Sequence, residues 1–429
     1  MSNFTLQSIE KNGLGFHFIP TDKYKTITVV AKFKAPLQRE TVTKRALLPF
    51  VLQRGTARYP SEEALQTKLD ELYGALLHIA TTKKGMNDII HVEMEFANEK
   101  FIQGAKDNTK HALQLFHEIM FAPLMENGQF KDNIVTREKR QLENKINSVF
   151  DDKVVYANRR LIDEMYKDEA YALHVDGYVE DLPQINGASL AQYYNEMIVN
   201  DVLDIYVLGD FELAEMQEQM TNLFKREESS LEAPSIKEEL IKNRTETQRI
   251  VESTAIQQAK LHIGYRTNIL YKDDQYAALQ VFNGLFGAFP NSKLFLNVRE
   301  KHSLAYYISS AIESHIGLML VYSGVETSEY ERTYDIIAEQ LEAIRAGDFT
   351  DEDLKTVQDL IVSNIRETLD HPNGTIEILY QQVVGEKKAT PNAIIEEVKG
   401  VTKEEVITVA KQIKLDTIYV LTSKEGEQD

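Results

Sequence analysis

A short internal repeat constrains the fold of this chain more than any other feature of the sequence. The string Ile-Tyr-Val-Leu at 205–208 recurs 213 positions later, at 418–421. The same offset aligns flanking residues, among them Ser189 with Thr402. Because this offset is about half of the 429 residues, the sequence predicts two homologous halves.

Each copy of the repeat predicts a helix followed by a strand. Ser189 and Thr402 precede helical patterns and are predicted to be N-cap residues, whose hydroxyl oxygens accept hydrogen bonds from the first turn. Both copies then end in β-branched and aromatic residues that are typical of strands. Further strands are predicted elsewhere, among them 306–311 and 318–325. Strands mixed with helices but without strict β–α–β alternation predict the α+β class. Gly284 and Gly287 predict a flexible turn.

The segment 225–249 is the predicted boundary between the halves. It is rich in Lys and Glu and poor in apolar residues, which is typical of an exposed linker. The predicted domains are therefore residues 1–224 and 250–429, joined by this linker.

Composition excludes several functions. The net charge of −19 argues against a general nucleic-acid binder and against docking on anionic lipid, since both need clustered Lys and Arg. The charge fits either a basic peptide partner or simple solubility. The chain has no cysteine, so it has no disulfide, thiolate metal site or cysteine nucleophile. Without a signal-like start or an apolar run of about 20 residues, a cytoplasmic location is expected.

The segment 46–56, ALLPFVLQRGT, resembles the zinc-binding helix of the insulinase-type (M16) peptidases. Active members carry H-F-L-E-H-M-L-F-K-G-T there. With the Gly-Thr pair aligned, the two zinc-binding histidines of the family fall on Ala46 and Phe50, and its catalytic glutamate falls on Pro49. The third zinc ligand, a glutamate on a later helix, falls on Lys145.

These four positions predict that the zinc site has been lost. Zinc needs about three nitrogen or oxygen side-chain ligands plus a water molecule. Alanine and phenylalanine cannot ligate, proline cannot take a proton from water, and lysine would repel the metal. His91, Glu93 and Glu95 alternate along a strand and could form another metal-binding face, but a solvated strand face is the commoner arrangement.

The segment 291–306, NSKLFLNVREKHSLAY, resembles the motif S-R-L-F-x-x-L-R-E-K-x-G-L-A-Y in the second half of M16 peptidases. In the family, the Arg and Tyr of this motif hold the substrate backbone and stabilise the oxyanion at an active site made by another half. The matching residues are Arg299 and Tyr306, and Ser303 replaces the usual glycine. Without the family, the pair could share a helix face, with Arg299 in a surface ion pair and Tyr306 in the core.

The resemblance implies two insulinase-type (LuxS/MPP-like) domains facing each other as a clamshell. A lost zinc motif beside a retained Arg–Tyr pair is similar to the zinc-less subunits of Gram-positive two-chain members, a bacterial group named for an association with elongation factor P modification. It implies a substrate-binding subunit of a heterodimeric zinc endopeptidase, active on peptides only with a zinc-bearing M16 partner.

Alternatives stay open at this point. The chain could be a structural or interaction protein with an inactive M16 fold and no role in proteolysis. A free-standing peptidase with a relocated metal site would need ligands that the sequence does not display. The isolated chain could also form a homodimer. The identity of the substrate and of the partner does not follow from the sequence.

Overall fold

The computed structural model describes residues 6–226 and 246–423, so most of the predicted linker, residues 227–245, lies outside the described part. The strands are β1 Gln7–Lys11, β2 Leu14–Pro20, β3 Thr26–Pro36, β4 Leu76–Lys84, β5 Asn87–Ala97, β6 Met125–Glu126, β7 Gln129–Phe130, β8 Val202–Gly209, β9 Gln248–Ser253, β10 Ala259–Arg266, β11 Ala305–Glu313, β12 Leu318–Val325 and β13 Lys414–Thr422.

The α-helices are α1 Val42–Leu52, α2 Glu62–Glu71, α3 Asn108–Phe121, α4 Asp132–Ser148, α5 Lys153–Met165, α6 Gly187–Asn200, α7 Leu213–Leu223, α8 Tyr276–Asn283, α9 Tyr330–Arg345, α10 Asp351–Leu369, α11 Pro372–Val384, α12 Pro391–Gly400 and α13 Lys403–Gln412. Two π-helical segments, Gly284–Ala288 and Phe295–Lys301, lie between α8 and β11. Within the described ranges, no helix combines the length and apolar character that a bilayer-spanning segment needs.

The repeat predicted from the sequence is confirmed, because the five strands of the second sheet follow the same order as five of the six strands of the first. The first sheet has the order β1-β2-β8-β3-β5-β4, and the second has the order β11-β12-β10-β13-β9. In each sheet the repeated strand, β8 or β13, has one parallel neighbour, β2 or β9, and one antiparallel neighbour, β3 or β10. The fold is therefore α+β with two similar domains, as predicted.

The chain divides into two compact units, and the division is not a single cut. One unit contains the residues up to Ser148 and those from Leu173 to 226, and the other contains Val149–Ala172 and the residues from 246 onward. The segment that changes unit includes helix α5, which packs on β10 and β13. Its apolar side contacts the sheet face opposite α8, α9 and α13, with a small cluster of Ala157, Leu161, Tyr419 and Leu421.

Two local predictions were wrong. Ser189 is not an N-cap: helix α6 begins earlier, Asn186 caps it, and Ser189 is the third helical residue, whose hydroxyl bonds back to the Asn186 amide in a capping box. Thr402 caps α13 as predicted. Gly284 and Gly287 do not form a flexible turn but lie buried in a π-helical turn. A Cβ on Gly284 would lie 2.4 Å from a methyl of Val357, so that glycine permits close packing.

A buried guanidinium fixes helix α1 within the first unit. Arg45 is 1% exposed, and its guanidinium lies 3.2 Å from Asp88 on β5 and 2.6 Å from Asp201 at the end of α6. It also donates hydrogen bonds to the Tyr193 hydroxyl and to the Phe33 carbonyl of β3. Burial raises the pKa of Asp88 to about 6, although the Arg45 charge opposes this shift. One cation thus serves two buried carboxylates and ties α1 to three other elements.

Replacing Arg45 by methionine should lower the free energy of unfolding of the first unit by about 3–5 kcal/mol. The reason is that two carboxylates would stay buried without their cation, and breaking a buried ion pair costs about that much. Urea-induced unfolding of the two proteins measures the difference.

Arg58→Met is the matched control, because Arg58 is 66% exposed and lies 3.5 Å from Glu118. Exposed ion pairs contribute about 0–1 kcal/mol, so this variant should unfold near the parent midpoint. Equal effects of the two substitutions would contradict a structural role for the buried cluster.

Candidate functional site: a helix pair without zinc ligands and an Arg–Tyr motif

Helices α1 and α4 of the first unit pack against each other and carry the four positions that the resemblance aligns with a zinc motif. Ala46 and Pro49 are buried in α1, and Phe50 packs at the edge of the same core. Pro49 lies inside the helix, and the Gln53 side-chain amide donates to its carbonyl over 2.8 Å. On α4, the Lys145 ammonium lies 2.8 Å from the Asp176 carboxylate. The two helices are present, but these positions carry three apolar side chains and a lysine, none of which is a zinc ligand.

No other metal site replaces the missing ligands in residues 6–226 and 246–423: no group of three or more His, Cys, Asp or Glu side chains there could hold a metal ion. His91 on β5 lies 3.4 Å from Glu93 in an ion-pair contact, and its ring meets that of His78 at 5.3 Å. The His91 and Glu93 side chains are 17% and 19% exposed, so this strand face is only partly open to solvent.

In the second unit, the π-helical segment Phe295–Lys301, here called the motif helix, carries Arg299. Leu294 and Val298 anchor it, since both are fully buried in the core of this unit. The anchored side leaves Arg299 facing outward with 45% of its side chain exposed. Its guanidinium lies 4.8 Å from the Phe295 ring centre, and its Nε is 4.0 Å from Glu300, the outer limit of an ion pair.

The motif helix ends at a residue with left-handed backbone. Ser303 has φ +53°, and its amide donates to the Arg299 carbonyl over 3.1 Å. The Leu304 amide donates to the Val298 carbonyl over 3.0 Å. These two bonds resemble a Schellman cap widened by one residue, as expected after a π-helical turn. The position therefore requires the conformation that glycine, the usual residue of the motif, adopts at least cost.

Tyr306 occupies a β-bulge at the start of β11. Ala305 pairs with Val325 and Tyr307 pairs with Gly324, so Tyr306 is an extra residue between two regular pairs of the β11–β12 ladder. A bulge bends its strand and changes the direction of a side chain. The Tyr306 ring is 53% exposed, whereas Ala305 beside it is buried. The pair Arg299 and Tyr306 therefore does not share a helix face, because the helix ends at Lys301 and Tyr306 lies on a strand.

The Tyr306 hydroxyl donates a hydrogen bond to the carboxylate of Glu326, the residue that follows β12. This hydrogen bond and the Glu326 charge raise the pKa of the Tyr306 hydroxyl above its ordinary value of about 10. Tyr306 is therefore a protonated donor at neutral pH. Since only an O–H can donate, this protonation state is the one that an oxyanion requires.

Glu326 is a residue of this site that sequence reasoning missed. The motif ends at Tyr306, and Glu326 lies twenty positions further along the chain. A signal was nevertheless present: the strands predicted at 306–311 and 318–325 are close enough to form a hairpin, and antiparallel pairing brings the start of one strand to the end of the other. The bulge at Tyr306 shifts this register by one residue, and no pattern in the sequence predicts the bulge.

Together, these features describe a two-unit α+β protein in which the positions aligned with a zinc motif offer no metal ligand, and in which Arg299 and Tyr306 are exposed on the second unit. Comparison with known proteins identifies the family. A family model described as the peptidase M16 inactive domain matches residues 184–361, and a protein of Bacillus subtilis named "Probable inactive metalloprotease YmfF" is 42% identical over 96% of this chain and 97% of its own length. The chain belongs to the M16 peptidase family.

Solved structures support the same fold over the whole chain. A conserved protein from Enterococcus faecalis V583 is 33% identical and superposes with a TM-score of 0.89, covering 99% of this chain and all of that one. A peptidase M16 inactive domain from Pseudomonas fluorescens is only 16% identical but has a TM-score of 0.79, with 99% and 100% of the two chains covered. The second likeness concerns the fold alone.

Ser303→Gly should raise the free energy of unfolding of the second unit by about 1 kcal/mol, because glycine adopts positive φ without the steric cost that other residues bear. Thermal unfolding measures the gain. Lys301→Gly, inside the motif helix, is the control and should instead cost about 1 kcal/mol. A loss of stability in Ser303→Gly would contradict the left-handed cap.

Purified protein should hold zinc well below one ion per chain, because the four aligned positions offer no ligand. Elemental analysis after purification without chelator tests this, together with the melting temperature before and after EDTA, which should be the same. Stoichiometric zinc, or a melting temperature that falls with EDTA, would revive a relocated metal site.

Proposed function

We propose that this chain is the zinc-less, substrate-binding subunit of a heterodimeric M16 endopeptidase and supplies Arg299 and Tyr306 to a zinc site on its partner. The partner would provide the metal, its ligands and the general base. This chain would then be active on peptides only in that complex. The cytoplasmic location expected from the sequence stays a prediction.

The observation that carries this proposal is the presentation of Tyr306. A β-bulge interrupts the regular pairing of two strands, and this bulge exposes the Tyr306 ring. The Tyr306 hydroxyl donates a hydrogen bond to Glu326, which raises its pKa. A tyrosine needed only for packing would place its ring in the core, as Tyr265 does on β10. The donor fits a reaction in which negative charge develops on a carbonyl oxygen.

Arg299 fits the same task. The guanidinium lies 4.8 Å from the Phe295 ring centre, and among the described residues its one carboxylate contact, with Glu300, is 4.0 Å long. An arginine with free donors can bind the carbonyl oxygens of a peptide backbone. Since α1 of this chain carries no zinc ligands, these hydrogen-bond donors would act beside a zinc ion bound by the partner subunit.

The second candidate is a structural or interaction role with no part in proteolysis. The feature that favours it is the filled zinc-motif helix, in which Ala46 and Pro49 belong to a packed core. This role would give no reason for an exposed Arg–Tyr pair. The two candidates therefore differ in what mutation of that pair does.

Peptide hydrolysis should be measured with this chain alone, with a zinc-bearing M16 subunit from the same organism alone, and with the two mixed. Activity is expected only in the mixture. Tyr306→Phe should lower kcat/KM by about 10²–10³-fold, since one oxyanion donor is worth that much, and Arg299→Ala should cause a loss of similar size.

Tyr73→Phe and Arg332→Ala are the matched controls, because Tyr73 is as exposed as Tyr306 and Arg332 is 59% exposed beside Glu329. Both should leave the rate of the mixture unchanged. A less than tenfold effect of Tyr306→Phe would remove the catalytic role. A partner that is fully active by itself would leave this chain a scaffold.

A further inference from the structure

The Tyr306 hydroxyl can donate a single hydrogen bond. It is donated to Glu326, an exposed carboxylate at the end of the neighbouring strand. An oxyanion or a substrate carbonyl would need the same hydrogen. Glu326 and a substrate oxygen therefore compete for one donor.

We propose that Glu326 acts as a resting-state latch on Tyr306. Its carboxylate accepts the hydrogen bond of the Tyr306 hydroxyl until a substrate oxygen displaces the carboxylate. This inference rests on the proposed function, because it assumes that Tyr306 donates to substrate. The inference adds Glu326 as a positioning residue that acts through Tyr306. It also predicts that removing Glu326 raises the rate, since the donor that the reaction uses becomes free.

The geometry favours a reversible contact. Glu326 follows the last residue of β12, and Tyr306 is the bulged residue of β11, so both side chains lie at the same end of one hairpin. Both are exposed, which allows either side chain to rotate into water. Because both groups are exposed, water competes for this hydrogen bond, and an incoming oxyanion can replace the carboxylate as its acceptor.

The motif helix, which packs against β11, carries three further charged residues, Arg299, Glu300 and Lys301. The charge that acts on the Tyr306 hydroxyl is that of Glu326. The acidic partner raises the pKa of the phenol, because a nearby negative charge opposes a phenolate. Loss of Glu326 should thus free the hydroxyl to donate to substrate at neutral pH and also lower the alkaline pH at which it ionises.

The first test needs no catalytic activity. Tyrosine labelled with carbon-13 at the ring carbon that bears oxygen reports ionisation by NMR, and Tyr306→Phe identifies the Tyr306 signal among the 20 tyrosines. In Glu326→Ala, this signal should titrate at lower pH than in the parent protein. In Glu342→Ala, where an exposed Glu pairs with Arg345, it should not move. An unchanged Tyr306 titration in Glu326→Ala would overturn the contact itself.

The second test uses the mixture with a zinc-bearing M16 subunit. Glu326→Ala should raise kcat/KM at neutral pH by about two- to tenfold, since the hydroxyl no longer has to give up a competing acceptor before it donates to substrate. Glu326→Gln, which keeps a neutral acceptor, should give a smaller rise. A fall in kcat/KM, or no change, would overturn the latch.

The two proposals fail separately. If Tyr306→Phe leaves the mixture active, the proposed function is wrong, and the NMR titration still reports whether Glu326 holds Tyr306. If Tyr306→Phe abolishes activity and Glu326→Ala lowers it as well, the proposed function stands, and Glu326 assists the donor rather than withholding it.

Discussion

One buried cation determines where the first helix of this protein lies. Arg45 joins α1 to β3, β5 and α6 through a carbonyl, two carboxylates and a tyrosine hydroxyl. Removing a charge from such a cluster is costly, since its partners would stay buried and unpaired. The helix that carries zinc ligands in active M16 peptidases is therefore kept in place here by an interaction that has nothing to do with metal. This separation explains how the fold persists at positions where alanine, proline and phenylalanine have removed the chemistry.

The two units differ at the positions that the resemblance aligns with reacting residues. In the first unit, those positions are packing residues and an ion pair between Lys145 and Asp176. In the second unit, buried residues anchor the motif helix, whereas a left-handed cap at Ser303 and a β-bulge at Tyr306 interrupt the regular backbone. The bulge lies where the Tyr306 ring becomes exposed to solvent.

Sequence reasoning predicted the architecture well, because an internal repeat and the periodicity of apolar residues can both be read directly from the sequence. The offset between the two IYVL copies predicted two homologous halves, which are observed as two sheets that share the order of five strands, and β12 was predicted with its observed bounds. Helix α6 was missed at its start because Asn186 and Ser189 both fit a cap, and only the reciprocal bonds distinguish them. The candidate site was predicted only as far as the motif reaches. Glu326 and the bulge depend on strand register, which no local pattern fixes.

Helix α5 has a consequence for how this protein is made. Its apolar residues Ala157 and Leu161 pack against Tyr419 and Leu421 of the last strand. During synthesis that strand leaves the ribosome about 250 residues after the helix, which is roughly 12–50 s at 5–20 residues per second. For that time the helix exists without the surface it covers, even if the sheet of its own half has already formed. The chain therefore cannot fold strictly from one end to the other, because the apolar side of α5 has to wait for the last strand.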